Sequence, residues 1–365
     1  MLVRLGSVAL FALLAVTAAA CAPGDEPSHD ADDDAVTVDT KNAAARAQYD
    51  ANVAFASSYT ARCSRSSEDR RPRVLVTAYG RFMSITDNAT GHIVSTLVPS
   101  AAYPMTAAPP AGQVDPPAPQ LSVGTTTLDV PGIGPVDVCG MILPVFWDMS
   151  AILVAKELES FAPSLVVMDG VASPTQPLWL ELGATNRAQD SVDGSNNLEP
   201  KSDAKQPKLV PEASAAEETR GNLLSWNAVL GAVRNAVQAH ADDTDKGTKL
   251  GQLLLGAQTM PIRPDNAYLC NNLTYVTGYL MDHPGKTITL LSADPPLEGR
   301  VNELKISISK NLSNVPRVFL HWPSKMADRH HAAGAEVLKA VIAAQLSATA
   351  AGDLPTSGNA QGAQH

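Results

Sequence analysis

The chain has 365 residues, 45% hydrophobic and 18% charged, enough for one large domain with a sizeable core. A formal net charge of −10 excludes a nucleic-acid partner that would need a basic stripe to displace counterions. At the start, Arg4 makes a short basic region and Leu5 to Val16 an apolar core, and small residues run from Thr17 to Ala20 before Cys21. This pattern predicts a secretory signal over residues 1–20, too short to span a bilayer. The small triplet before Cys21 also fits a bacterial lipobox with Ala18 at the usual Leu position, so cleavage with or without a lipid at Cys21 stays open. Residues 22–39 carry seven acidic side chains and no Lys or Arg, which reads as a solvated tether.

An Ala-rich amphipathic helix is expected over 41–62, and Arg73 to Ala78 reads as a strand that turns at Tyr79-Gly80. Residues 99–137, rich in Pro and Gly, read as a long irregular insertion. A second strand follows over Val136–Val145, then a helix over Ala151–Ser160. Ser164–Met168 is an unbroken apolar strand, buried on both faces. In Leu178–Leu182 the alternation puts Trp179 and Glu181 opposite the leucines. Residues 198–220 read as a polar surface loop, Asn222–Ala239 as a helix, and Lys249–Met260 as either helix or strand. Leu273, Val276, Thr277 and Leu280 mark a helix over Cys270–His283, stopped by Pro284. A polar insertion over 285–315, a strand over Val318–His321, a helix over Ala332–Leu346 and a loose tail complete the chain.

Strands alternating with helices predict an α/β fold, a three-layer α/β/α sandwich around a mostly parallel open sheet with long loop insertions. The expected organisation is signal 1–20, tether and helix 21–71, catalytic domain 72–347 and tail 348–365. Among four cysteines Cys21 is used at the processing site, so Cys63 and Cys139 could pair in an oxidising compartment, leaving Cys270 as the odd thiol. Cys270 stands where a loop enters a helix, whose unpaired N–H groups and dipole favour a thiolate and a developing oxyanion. His321 ends a strand, and in open α/β sheets strand C-termini line the ligand crevice. Glu181 faces away from its leucines and is free to meet an imidazole, completing an activated-nucleophile set.

Local segments sharpen this pattern. Tyr268-Leu-Cys270-Asn271 resembles the Tyr-x-Cys-Asn segment of pyroglutamyl-peptidases, and Phe319-Leu-His321-Trp-Pro323 is similar to their Phe-Ile-His-Val-Pro. Gly170-Val-Ala172 with Glu181, Ala184 and Asn186 resembles their Gly-x-Ala segment leading to Glu-Arg-Val-Ala-x-Asn. Val74 to Phe82 followed by Asn88 resembles their Val-Thr-Gly-Phe-Gly-Pro-Phe and Asn-Pro-Ser opening, and Leu143-Pro-Val145 their Leu-Pro-Val strand. These five segments lie in family order over roughly residues 72 to 345.

The resemblance implies Cys270 as nucleophile, His321 as general base and Glu181 as the group orienting the imidazole. It further implies removal of N-terminal pyroglutamate from peptides without metal or cofactor, with Tyr79, Phe82 and Asn88 at the substrate. Pro174 and Thr175 replace a Gly-Arg pair of the family, Arg81 replaces a Pro of the pocket loop, and Asn266 occupies a Gly position, where Asn is tolerated if the backbone is left-handed. Two further readings stand beside the peptidase: an exported lipoprotein that keeps the fold as a peptide-binding or weakly active pseudo-enzyme, and a related cysteine hydrolase with an altered acyl group, suggested by Arg81. In the peptidase reading Arg81 would repel a cationic substrate from the lactam pocket.

Overall fold

The computed structural model describes residues 35–361, apart from 65–69, 84, 173–175, 202–205, 242–243, 246–247, 250–256 and 325. The expected signal, Cys21 with most of the acidic tether, and Pro174 and Thr175 lie outside the described residues.

A nine-stranded sheet organises the described chain. Its strands are β1 (Arg73–Tyr79), β2 (Ser122–Val130), β3 (Gly134–Leu143), β4 (Leu165–Val171), β5 (Trp179–Glu181), β6 (Leu223–Leu224), β7 (Gln258–Met260), β8 (Arg317–Trp322) and β9 (Thr356–Ser357). The main order is β7-β5-β8-β4-β1-β3-β2, with β6 against β8 and β9. The central four, β8, β4, β1 and β3, are mutually parallel; β2 and β5 run antiparallel to their inner neighbours.

The unbroken apolarity of the central strands is explained by helices on both faces. In β1, Val74, Val76 and Ala78 point into one core layer with α2 (Ala89–Leu97), α4 (Trp226–Ala239) and α6 (His330–Ala350). Leu75 and Tyr79 point the other way, toward α1 (Ala43–Ser58), α3 (Met149–Phe161) and α5 (Leu269–Asp282). Each such buried Val or Leu contributes about 1.5–3 kcal/mol. The fold is therefore the expected α/β/α sandwich on a largely parallel sheet.

Several segments expected to be irregular are built into it. Within 99–137 the chain forms β2, which pairs with β3 from Ser122↔Ile142 to Val130↔Gly134 and closes the sheet edge as a hairpin. Residues 198–220 are no mere surface loop: Leu198, Leu209, Val210 and Ala213 join the core layer of α1, α3 and α5. The 285–315 insertion holds an antiparallel pair, Ile288–Leu290 with Leu304–Ile306. The end of the tether is not solvated either, since Val36 and Val38 are buried and Thr37–Asp39 pairs in parallel with Ser292–Asp294. The tail returns to the sheet as β9, and the helix expected from Asn222 starts only at Trp226 because β6 intervenes. Most of these segments carry few apolar residues and so show no periodicity, and the shortest strands are completed by distant partners. Among the described residues, no helix is long and apolar enough to cross a membrane.

The N-terminal helix is fastened by polar and covalent links. Asn42 caps α1 by accepting from the Ala45 amide at 2.8 Å. Gln48 exchanges two hydrogen bonds with the Asp115 backbone, at 2.7 and 2.8 Å. Beyond the helix, Glu157 of α3 accepts from the Tyr59 hydroxyl and from the Arg62 and Cys63 amides. Cys63 then forms a disulfide with Cys139 of β3, as the cysteine count suggested.

The bridge spans 76 positions, so Cys63→Ser/Cys139→Ser should lower unfolding free energy by up to about 4 kcal/mol, measured by urea denaturation of the non-reduced protein. An unchanged urea midpoint would show that the link carries no stability.

Candidate active site

Strand pairing brings two of the three predicted chemical residues together, and a helix start brings the third. In the parallel pair of β8 and β4, His321 lies opposite Gly170. In the antiparallel pair of β8 and β5, His321 lies opposite Trp179 and Phe319 opposite Glu181. His321 and Glu181 are thus diagonal neighbours on one face, within reach of long side chains. His321 Nδ1 is 2.6 Å from Glu181 Oε1. The carboxylate is fully buried, at 0% exposure, and His321 is buried beside it.

Cys270 is the second residue of α5, and no side chain caps that helix. The first-turn amides of a helix have no intrahelical acceptor, so they remain available to an anion beside the sulfur. The thiol is half-buried and is the only free cysteine among the described residues. His321 forms an ion pair with Glu181 through Nδ1, and the charge of Cys270 acts on the same ring. Burial alone would disfavour the imidazolium, but the charges of Glu181 and Cys270 and the hydrogen bonds to both outweigh it, pushing His321 up to about 10. At neutral pH the ring is therefore a cation between two acidic partners.

The sulfur reaches this position because Gly170 has no side chain. A Cβ there would lie 2.9 Å from Cys270 Sγ and 2.7 Å from Phe319 Cζ. The Phe319 ring packs edge-on to His321 at 4.9 Å between centroids, closing the imidazole's own side of the sheet.

Beside these residues stands an aromatic group. Tyr79, the last residue of β1, is buried and donates its hydroxyl to the Leu269 carbonyl at 3.1 Å, one residue before the nucleophile. Burial foremost, and then the nearby charge of Cys270, holds the Tyr79 phenol well above its ordinary 10. Phe82 meets the Tyr268 ring edge-on at 5.9 Å, and Trp147 meets the same ring at 5.5 Å. Tyr268 bonds the Val192 carbonyl and Trp147 the Ser191 carbonyl, so the 191–197 loop backs the cluster. In that loop Asp193 is buried; burial pushes it up to about 7, against the hydrogen bonds it accepts from Ser195 and Trp147.

Three residues take places set by local contacts. Asn88 accepts from the Thr90 amide and hydroxyl and donates to the Gly80 carbonyl, so it caps α2 and shapes the loop. Arg81 does not charge the pocket, because its guanidinium is buried against Asp115 at 2.5 Å. Asn266 is not left-handed: it is absent from the positive-φ residues, and its amide instead donates to Glu181 Oε1 at 3.0 Å. Gly170, Trp147, Asp193 and the Asn266 contact carried no signal of spacing, since each acts across elements far apart in sequence.

No protein-family profile and no curated protein matches the chain. Among solved structures it is similar to the pyrrolidone carboxyl peptidase from Thermococcus litoralis, at 14% identity and a TM-score of 0.46, covering 77% of this chain and 96% of that one. It is also similar to pyroglutamyl peptidase I of Bacillus amyloliquefaciens, at 12% identity and a TM-score of 0.44, covering 76% and 98%. For the pyrrolidone carboxyl peptidase from Thermus thermophilus the values are 16%, 0.42, 74% and 99%. Likeness at this level assigns no residue a role.

Gly170→Ala should push the sulfur off the imidazole and cut both activity and Cys270 alkylation about 100-fold, the scale expected of an ångström-sized misplacement. Wild-type alkylation in a folded Gly170→Ala protein would contradict this steric reading.

Proposed function

We propose that the chain is a cysteine peptidase that removes N-terminal pyroglutamate from peptides. The observation that carries this reading is the chain of contacts from Cys270 to His321 to Glu181, in a sheet whose aromatic residues stand beside the sulfur. The five sequence segments in family order support the same reading. Cys270 attacks the carbonyl carbon of the pyroglutamyl residue, and the first-turn amides of α5 take the charge that develops on oxygen. His321, holding the proton drawn from the thiol, passes it to the departing amine. Water then attacks the thioester, giving its proton to His321 and releasing pyroglutamate and the free thiol. Glu181 holds the imidazole in orientation and stabilises its cation.

Selection for a lactam follows from the walls. A pyrrolidone ring is flat, uncharged and partly apolar, and fits beside Tyr79, Phe82 and Tyr268. A free N-terminal ammonium would lose its hydration there, costing several kcal/mol unless a carboxylate met it. Asp87 is engaged by His92 and Asp115 by Arg81, and Asp193 already accepts three hydrogen bonds.

A fluorogenic amide series tests this directly. Pyroglutamyl-amide should be cleaved well above prolyl-amide, with glutaminyl-amide essentially untouched. Cys270→Ala should abolish turnover, His321→Ala should lose nearly as much, and Glu181→Gln less, because an amide still positions the ring but stabilises its cation poorly. Equal rates on glutaminyl and pyroglutamyl amides, or full activity in Cys270→Ala, would sink the assignment.

The proposed setting is the bacterial cell envelope, with a lipid at Cys21 as the anchor. The Cys63–Cys139 bridge supports an oxidising compartment. Labelled palmitate should enter the protein in a bacterial host and be lost in Cys21→Ser. An unlabelled product would remove the anchor while leaving export to be judged by cell fractionation.

A further inference from the structure

We propose that Asn266 is a positioning residue for Glu181, a neutral donor that keeps the buried carboxylate turned toward His321. The inference rests on the reading above that Cys270, His321 and Glu181 work as one unit.

A carboxylate only accepts hydrogen bonds, so the Asn266 amide must face it through its nitrogen. Nδ2 of Asn266 and Nδ1 of His321 converge on the same oxygen, at 3.0 and 2.6 Å. The other oxygen, Oε2, has no hydrogen-bond partner among the described residues. Nor, among the described residues, does any Lys or Arg form an ion pair with Glu181. A buried carboxylate with so few donors is costly to ionise, and each donor it keeps matters more than at the surface.

The topology explains why this amide is in reach. Met260 of β7 pairs with Glu181 of β5, and the Leu182 amide bonds the Met260 carbonyl at 2.9 Å. Nine residues later α5 begins and presents Cys270. The connecting turn is held by the Asn266 amide on the Arg263 carbonyl at 3.1 Å and by the Gln189 amide on the Ala267 carbonyl at 2.7 Å. One loop therefore delivers both the nucleophile and the donor for the acid two residues-deep in the relay. An aspartate there would oppose a second carboxylate to Glu181, and an alanine would leave the imidazole as the sole donor.

The groups facing His321 and Glu181 are Cys270 from α5, Tyr79 from β1 and Phe319 from β8 itself, and none of them donates to the carboxylate among the described contacts. Without Asn266 the carboxylate is free to turn and holds the imidazolium less firmly, so the thiolate forms less readily in turn.

The test measures Cys270 in the full mature protein by two independent routes. Iodoacetamide alkylation, mapped to Cys270 by peptide mass and followed across pH, needs no substrate; pyroglutamyl-amide hydrolysis gives kcat and KM separately. Asn266→Ala should slow alkylation near neutral pH about tenfold, move its rise to higher pH, and lower kcat by a similar factor with KM within about twofold, as for loss of one hydrogen bond to a charged group. Asn266→Asp should lose more at neutral pH than Asn266→Ala and recover toward acid pH, where a protonated Asp can donate as the amide does. Thermal midpoints close to wild type identify folded variants. Wild-type alkylation profiles in both variants overturn the role of Asn266. Should no pyroglutamyl substrate be cleaved by the wild type, the peptidase reading fails, and the alkylation profiles still decide Asn266 by themselves.

Discussion

The arrangement of the site depends on one missing side chain. Where β4 and β8 run in parallel, Gly170 lies against His321, and the space a Cβ would fill is taken by the Cys270 sulfur and the Phe319 ring. A sulfur seated on a strand backbone, beside an imidazole on the next strand, needs no flexible loop to hold it. The three groups come from β5, β8 and α5, and the sheet register sets the distance between the first two. Side chains mounted on paired strands keep their geometry better than side chains mounted on loops.

Electrostatics separates two buried carboxyls that lie near each other in the sheet. Glu181, on the α5 face, shares its oxygen with an imidazolium and an amide. Asp169, one residue before Gly170, belongs to the opposite face and accepts only from the Trp322 indole at 2.7 Å; burial pushes it up to about 8. Asp169 is thus equipped to keep its proton, whereas Glu181 has an imidazole and an amide beside it. The difference lies in their donors, since both are buried. Burying an ion pair such as Glu181 and His321 brings little net stability, and its retention fits a need for fixed orientation.

Parts of the chain outside the central sheet converge on the loop that carries Phe82. Gln48 of α1 binds the Asp115 backbone, Asp115 binds Arg81, and Asn197 reaches Gln48 from the loop behind the aromatic cluster. Gln120 adds a further hydrogen bond to Asp115 at 2.8 Å. Arg81 is thereby neutralised in a buried network, and the N-terminal helix is tied to the loop that carries Phe82. Close to it, the Cys63–Cys139 bridge fastens the segment after α1 to the sheet.

The sequence by itself determined the layered α/β fold, because long apolar strands such as Val74–Ala78 and Leu165–Met168 can only be buried on both faces. The set Cys270, His321 and Glu181 was picked out through five segments that resemble pyroglutamyl-peptidases, because a helix start, a strand end and an alternating face are common local patterns that do not by themselves single out three residues. The strands β6 and β9 were illegible, being two residues long and completed by distant partners, and β2 was hidden by its few apolar residues within a Pro- and Gly-rich stretch. Tertiary structure alone decided that Asn88 caps its own loop, that Arg81 meets Asp115, and that Asn266 reaches Glu181 across 85 positions. Periodicity reports which face a side chain takes, whereas these contacts depend on which distant element packs against that face.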